Sequence, residues 1–122
     1  KCGYFKHLEL NNNDVVIDVG ANIGVFAIAA ADKCKQVIAF EPDPYNFKLA
    51  KENIQLNNKK NILLFNHAIS NYNGEIILYL NGGVCSDCHS TIKIRGRKTI
   101  NVKAIDINNI IPAIKTKIAL AF

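Results

Sequence analysis

The chain has no methionine and only two arginines among its 122 residues. Without methionine at position 1, it is expected to be an internal piece of a longer open reading frame. The far end, "KTKIALAF", is apolar with no turn or helix stop after it, and is expected to be a second cut. No apolar run approaches the ~20 residues that span a bilayer, so no membrane partner is expected. Nor is there a basic-then-apolar leader ending in a small-residue cleavage site, and a cytoplasmic location is expected. The scarcity of arginine bears on the net charge of +5. Such a charge can mark a nucleic-acid surface. Here it comes with 18 isoleucines, 16 asparagines and 13 lysines, a bias spread along the chain as codon composition would spread it. No arginine-rich or aromatic stripe offers a platform for stacked bases. A nucleic-acid partner is therefore not expected.

A second C-x-x-C is also missing. "CSDCH", Cys85 to His89, spells a haem-attachment motif and half a zinc site. Haem attachment needs an exported chain and an axial partner, and no methionine exists to be one. A closed zinc site needs four ligands. The remaining candidates, Cys2, Cys34, His7 and His67, have no paired spacing. Cys85, Cys88 and His89 read as a polar, glycine-flanked loop in a reducing compartment, with no metal.

What is present fits one domain, because 122 residues with 49% apolar side chains can bury a single core. Asp14 to Val19 is a short continuous apolar run suited to a strand buried on both faces. "GVFAIAAADK" from Gly24 reads as an alanine-rich helix that could lie close on a sheet. Gln36–Phe40 is a second strand. Asp43 as N-cap and Pro44 at the first helical position open the next helix. Its inward stripe is Phe47, Ala50 and Ile54, broadened by Leu49. Ile62–Phe65 is a third strand. Strands alternating with helices at this spacing predict a doubly wound, Rossmann-like α/β sheet. After Ser70 the rhythm changes. Ile76, Leu78 and Leu80 share one face of a strand, and Ile100, Val102 and Ala104 share one face of another. Two strands without a helix between them predict an antiparallel excursion after the third strand. "DINNIIPAI" is then a short helix or turn, and "KIALAF" returns to the main sheet.

The loop after the first strand, Gly20 to Gly24, carries two glycines where a dinucleotide fingerprint would have three. It lies at the carboxyl end of a strand, where open α/β sheets bind ligands. Asp18 discriminates between ligands. A carboxylate beside a pyrophosphate is repelled, whereas one beside the ammonium of a methionine moiety is attracted. Glu41, ending the second strand, suits ribose hydroxyls. Acid, bare loop and second acid describe a pocket for a cationic nucleoside, and S-adenosylmethionine fits that description.

"DVVIDVGANIGVFAIAAA", "VIAFEPDPYNFKLAKENIQLNN", "NILLFNHAISNYNGEIILYLN", "HSTI" and "TINVKAIDINNII" together resemble the FkbM family of S-adenosylmethionine-dependent methyltransferases. The likeness runs from Asp14 to Ile111. It implies a class I methyltransferase fold, O-methylation of a hydroxyl on a sugar or secondary metabolite, and a small-molecule or glycan acceptor. It places Asp18, Gly20, Ala21, Asn22 and Gly24 in the first cofactor loop. Glu41 and Pro42 fall at the ribose-binding turn, and Asn66, His67 and Ala68 beside the adenine. His67 is read as a wall of that pocket, although its near-neutral pKa would allow it to act as base. FkbM members continue past "KIALAF" into an acidic, glycine-containing segment that this sequence does not include. The sequence therefore names no catalytic base, and it leaves open whether the chain is active alone. The stretch "VIAFEPDPYNFKLAKENIQLNN" also resembles archaeal-type tRNA guanine-N1 methyltransferases, which makes an RNA methyltransferase the alternative. A non-catalytic fragment keeping only the nucleoside-binding fold is a further one. The oligomeric state is left open.

Overall fold

The computed structural model describes residues 8–80, 98–111 and 118–121, the last of these as backbone. Cys85, Cys88 and His89 lie outside the described residues. The chain runs β1 (Val15–Val19), α1 (Val25–Ala31), β2 (Gln36–Phe40), α2 (Pro44–Leu56), β3 (Ile62–Phe65), β4 (Ala68–Ser70), β5 (Gly74–Tyr79), β6 (Thr99–Asp106), a 3₁₀ turn (Ile107–Asn109) and β7 (Ile118–Ala121).

The main sheet has the order β3-β2-β1-β7 with every pair parallel. The chain steps outward from β1 through β2 to β3, then returns to the other side of β1. That reversal is a topological switch point at the tip of β1, the place where doubly wound sheets open a crevice. Both described crossovers step the same way, so right-handed connections place α1 and α2 on one face. Val16, Val37 and Ala39 are buried there against Phe26, Ala27, Ala30 and Ala31 of α1. Isolated helices as short as seven residues are unstable in water, so α1 is held by this contact.

Alternation along the strands assigns the other residues to the opposite face. Ile38 and Phe40 of β2 and Leu63 and Phe65 of β3 line an apolar cavity of about 340 Å³ there, closed along one side by Ile105 and Ile110. Phe40 and Phe65 stack with ring centroids 5.5 Å apart.

The antiparallel pair expected after Ser70 is β5 with β6, in register from Gly74↔Ala104 to Tyr79↔Thr99. Its buried face is Leu78, Val102 and Ala104, flanked by Ile76, Leu80 and Ile100. A third strand, β4, pairs with β6 in parallel. It spans only three residues, too few to show a period in the sequence. The small sheet therefore has the order β4-β6-β5.

The two helices meet where Gly24 faces Ala50. A Cβ placed on Gly24 would lie 3.5 Å from the Ala50 Cα and Cβ. Ala50 itself is fully buried. Ala50→Leu is expected to force these elements apart and destabilise the chain by about 1–3 kcal/mol, as overpacked cores do. Urea unfolding measures this, and a midpoint unchanged from the parent would contradict the packing described.

Candidate cofactor site

The turn after β1 is built from left-handed residues. Gly20 has φ 80°, Asn22 φ 54° and Gly24 φ 91°. Asparagine tolerates this region better than other side chains because its short amide bonds locally. Asn22 therefore supplies a conformation that a third glycine would otherwise provide. A Cβ on Gly20 would meet nothing within 4 Å. Glycine is required there by φ, and the space above it stays open to a ligand.

Backbone bonds carry the turn across the tip of β2. The amides of Gly20 and Ala21 both donate to the Phe40 carbonyl, at 2.8 and 2.9 Å. The Asn22 amide donates to Glu41 Oε2 at 2.7 Å, and the Asp43 amide to Glu41 Oε1 at 2.9 Å. One carboxylate thus joins the β1–α1 turn to the start of α2. Asp43 caps that helix as expected, its Oδ1 accepting from the Tyr45 amide at 2.8 Å. Asn66 adds the third strand tip, donating through Nδ2 to the carbonyls of Glu41 and Pro42 at 2.8 and 3.1 Å.

Asp18 and Glu41 lie on the same side of the sheet. Asp18 pairs with Ala39 in the register of β1 and β2, and Glu41 is two residues beyond Ala39. Both point toward the helical face, and both are buried, at 3% and 4% exposure. Among the described residues, Asp18 Oδ2 has no hydrogen-bond partner. Burial first, and the negative charge of Glu41 second, push the Asp18 carboxyl from 3.8 to about 7. An acceptor atom of this kind, sealed beside a second acid, is suited to a cationic donor. Each oxygen of Glu41 accepts a hydrogen bond from a backbone amide.

The structure gathers Asp18, Gly20, Ala21, Asn22, Gly24, Glu41, Pro42 and Asn66 around one turn. His67 and Ala68 part from them. His67 has the parity of Leu63 and Phe65 and lines the cavity on the opposite face. Ala68 enters β4 and is buried in the core of the small sheet. The expected inward stripe of α2 also needs adjustment. Its buried positions are Asn46, Ala50 and Ile54, while Phe47 and Leu49 are half-buried. Asn46 was legible only as a polar residue four positions before Ala50, on the same helical face.

The model of the TRM5/TYW2 methyltransferase domain matches residues 7–79. The chain belongs to this family. Its cofactor is S-adenosylmethionine, and the partial Rossmann-like fold with an added mixed sheet is that of a class I methyltransferase. An uncharacterized protein of Methanocaldococcus jannaschii is 42% identical over 64 residues, which cover 52% of this chain and 25% of that protein. The chain spans about a quarter of the length of the first curated relatives it matches. A dimethyladenosine transferase from Plasmodium falciparum shares the fold with a TM-score of 0.50, at 15% identity over 53% of this chain and 24% of its own. The M. jannaschii tRNA m1G37 methyltransferase is 31% identical over 52% of this chain and 24% of its own, with a TM-score of 0.42.

The family match corrects two expectations. It falls on the side of the tRNA methyltransferase resemblance and does not single out FkbM. It also overturns the expectation that nucleic acid is no partner. Net charge and arginine count describe the whole surface and do not decide which acceptor one site takes.

The raised Asp18 carboxyl makes stability depend on pH. The folded chain holds this proton more tightly than the unfolded chain. Its contribution is complete below 3.8 and is lost as pH rises through about 7. Comparing urea midpoints with those of Asp18→Asn cancels the other groups. The stability of the parent relative to the variant is expected to fall between about pH 4 and 7 and to level off above. A flat difference would contradict the burial of this carboxyl.

Proposed function

We propose that this chain is the cofactor-binding portion of an S-adenosylmethionine-dependent methyltransferase that acts on RNA, with a tRNA base as the favoured acceptor. The observation that carries the cofactor part is the pair of buried acids, Asp18 and Glu41, on one side of neighbouring strand tips, beside a turn whose Gly20 leaves open space. The acceptor part is supported by membership in the TRM5/TYW2 family.

In this reading Asp18 binds the ammonium of the methionine moiety, its open Oδ2 accepting a charge-assisted hydrogen bond. Glu41 accepts from the ribose hydroxyls through its carboxylate. Gly20, Ala21, Asn22 and Gly24 let the ligand approach the backbone. Asn66 fixes the β3 tip against Glu41 and Pro42, setting the width of the crevice on the nucleobase side. The bound cofactor supplies a sulfonium methyl for in-line displacement by the acceptor. The contribution of these residues is orientation, holding donor and acceptor in a reactive line. His67 faces away from the turn and is assigned no proton transfer.

Titration calorimetry with S-adenosylhomocysteine tests the site. Asp18→Asn and Glu41→Gln are each expected to weaken binding by about tenfold to a hundredfold, as loss of a charge-assisted bond does. Unchanged binding in both would overturn the assignment. For the acceptor, the full-length protein carrying this chain is incubated with methyl-labelled cofactor and total RNA or a pool of hydroxylated small molecules. Label in RNA is expected. Label confined to the small molecules would reject the RNA reading.

A further inference from the structure

Asn46 is a polar side chain in the buried face of α2. It lies in the first turn of α2, is 2% exposed, and its Oδ1 has no hydrogen-bond partner among the described residues. The contacts of its helix settle which way it faces. Ala50, one turn later, backs Gly24 at van der Waals distance. Asn53, two turns later, donates through Nδ2 to the Ile23 carbonyl at 2.8 Å. The stripe of Asn46, Ala50 and Asn53 is therefore the face that α2 presents to the Gly20–Gly24 turn. Asn46 lies at the end of that stripe nearest Glu41 and Asp43, from which the helix springs.

A buried carbonyl with no donor opposes folding, and a side chain of similar shape without polar atoms would avoid the cost. Leucine would suit the position, on the same helical face as buried Ala50 one turn later. The polar residue is explained if a donor arrives in another state of the site. The turn can supply one. Its middle is tied by the Asn22 amide to Glu41, a bond that a competing donor on that carboxylate would release. Ribose hydroxyls compete for the same carboxylate.

We propose that Asn46 is a positioning residue for the cofactor turn, its carbonyl oxygen accepting a backbone hydrogen bond from the turn once a nucleoside occupies the crevice. It acts on the ligand through the turn, not by touching it. The inference rests on the cofactor reading above and adds a residue to it.

The test uses the property that separates this role from a purely structural one. Asn46→Leu is expected to raise the melting temperature of the ligand-free chain by about 4 °C, the shift that roughly accompanies relief of one such cost. The same substitution is expected to weaken S-adenosylhomocysteine binding about tenfold, the loss of one hydrogen bond in the bound state alone. A residue needed only for packing would lower the melting temperature without this specific loss. Asn46→Ala serves as the second variant should leucine prevent folding, and is expected to weaken binding to a similar degree. Undiminished affinity in either folded variant overturns the role of Asn46 alone. Absence of S-adenosylhomocysteine binding by the parent chain overturns it together with the cofactor reading.

Discussion

The site depends on the carboxylate of Glu41. A buried acid is costly unless its oxygens are satisfied, and here the partners are amides from two different connections, Asn22 before α1 and Asp43 before α2. The same bonds that make burial tolerable fix the distance between the two connections. The backbone of Glu41 repeats the arrangement toward the third strand, its amide donating to the Phe65 carbonyl and its carbonyl accepting from Asn66. One residue thereby registers the tips of β1, β2 and β3. Asp18 needs no bond to Glu41 to be affected by it. Its carboxyl is raised in part because that second charge is held beside it.

Close packing by small residues makes this arrangement possible. Ala27, Ala30, Ala39 and Ala50 are all fully buried. They bring α1 onto the sheet and α2 onto the Gly20–Gly24 turn. Larger side chains would bury more apolar surface at each position, at about 25 cal/mol per Å². They would also move the helices outward and open the crevice. The close approach therefore belongs to the geometry of the site and does not follow from a demand for the largest core.

The main sheet was readable because parallel strands leave short unbroken apolar runs. They do so in the buried β1 and β2 and also in β3, whose Leu63 and Phe65 are exposed. Gln36–Phe40 and Ile62–Phe65 occur as the sequence predicts. The cap of α2 was equally legible, since Asp43 followed by Pro44 has a local cause. Features that depend on tertiary partners were not legible. Strand β4 has no period to detect, and Ala68 was assigned to the cofactor although β4 draws it into the small sheet. His67 shows the same limit, because side-chain parity along β3 could be applied only once the strand's faces were known. Asparagine was read as a compositional bias. Yet Asn53 ties to Ile23, Asn61 to Ala31, Asn66 to Glu41, and Asn73 accepts from Asp106. Composition accounts for the number of asparagines and says nothing about which of them close turns.

These side-chain ties also explain where polar groups are left open. Most loops in the described residues end on an asparagine amide or a carboxylate that satisfies the backbone. Asp18 Oδ2 and Asn46 Oδ1 are exceptions, and both adjoin the same turn, one from β1 and one from α2. Each open buried acceptor costs roughly 1–3 kcal/mol, against a total stability of about 5–15 kcal/mol for a domain. Randomly placed defects would not be expected on both flanks of one turn at a topological switch point. With Asp18 ionised, both are acceptors and call for donors, which an anionic phosphate would not supply. The deficit of the free state thus has the polarity of a ligand rich in donors, such as an ammonium and a pair of hydroxyls. That chemistry distinguishes this turn from a pyrophosphate loop more firmly than the number of its glycines does.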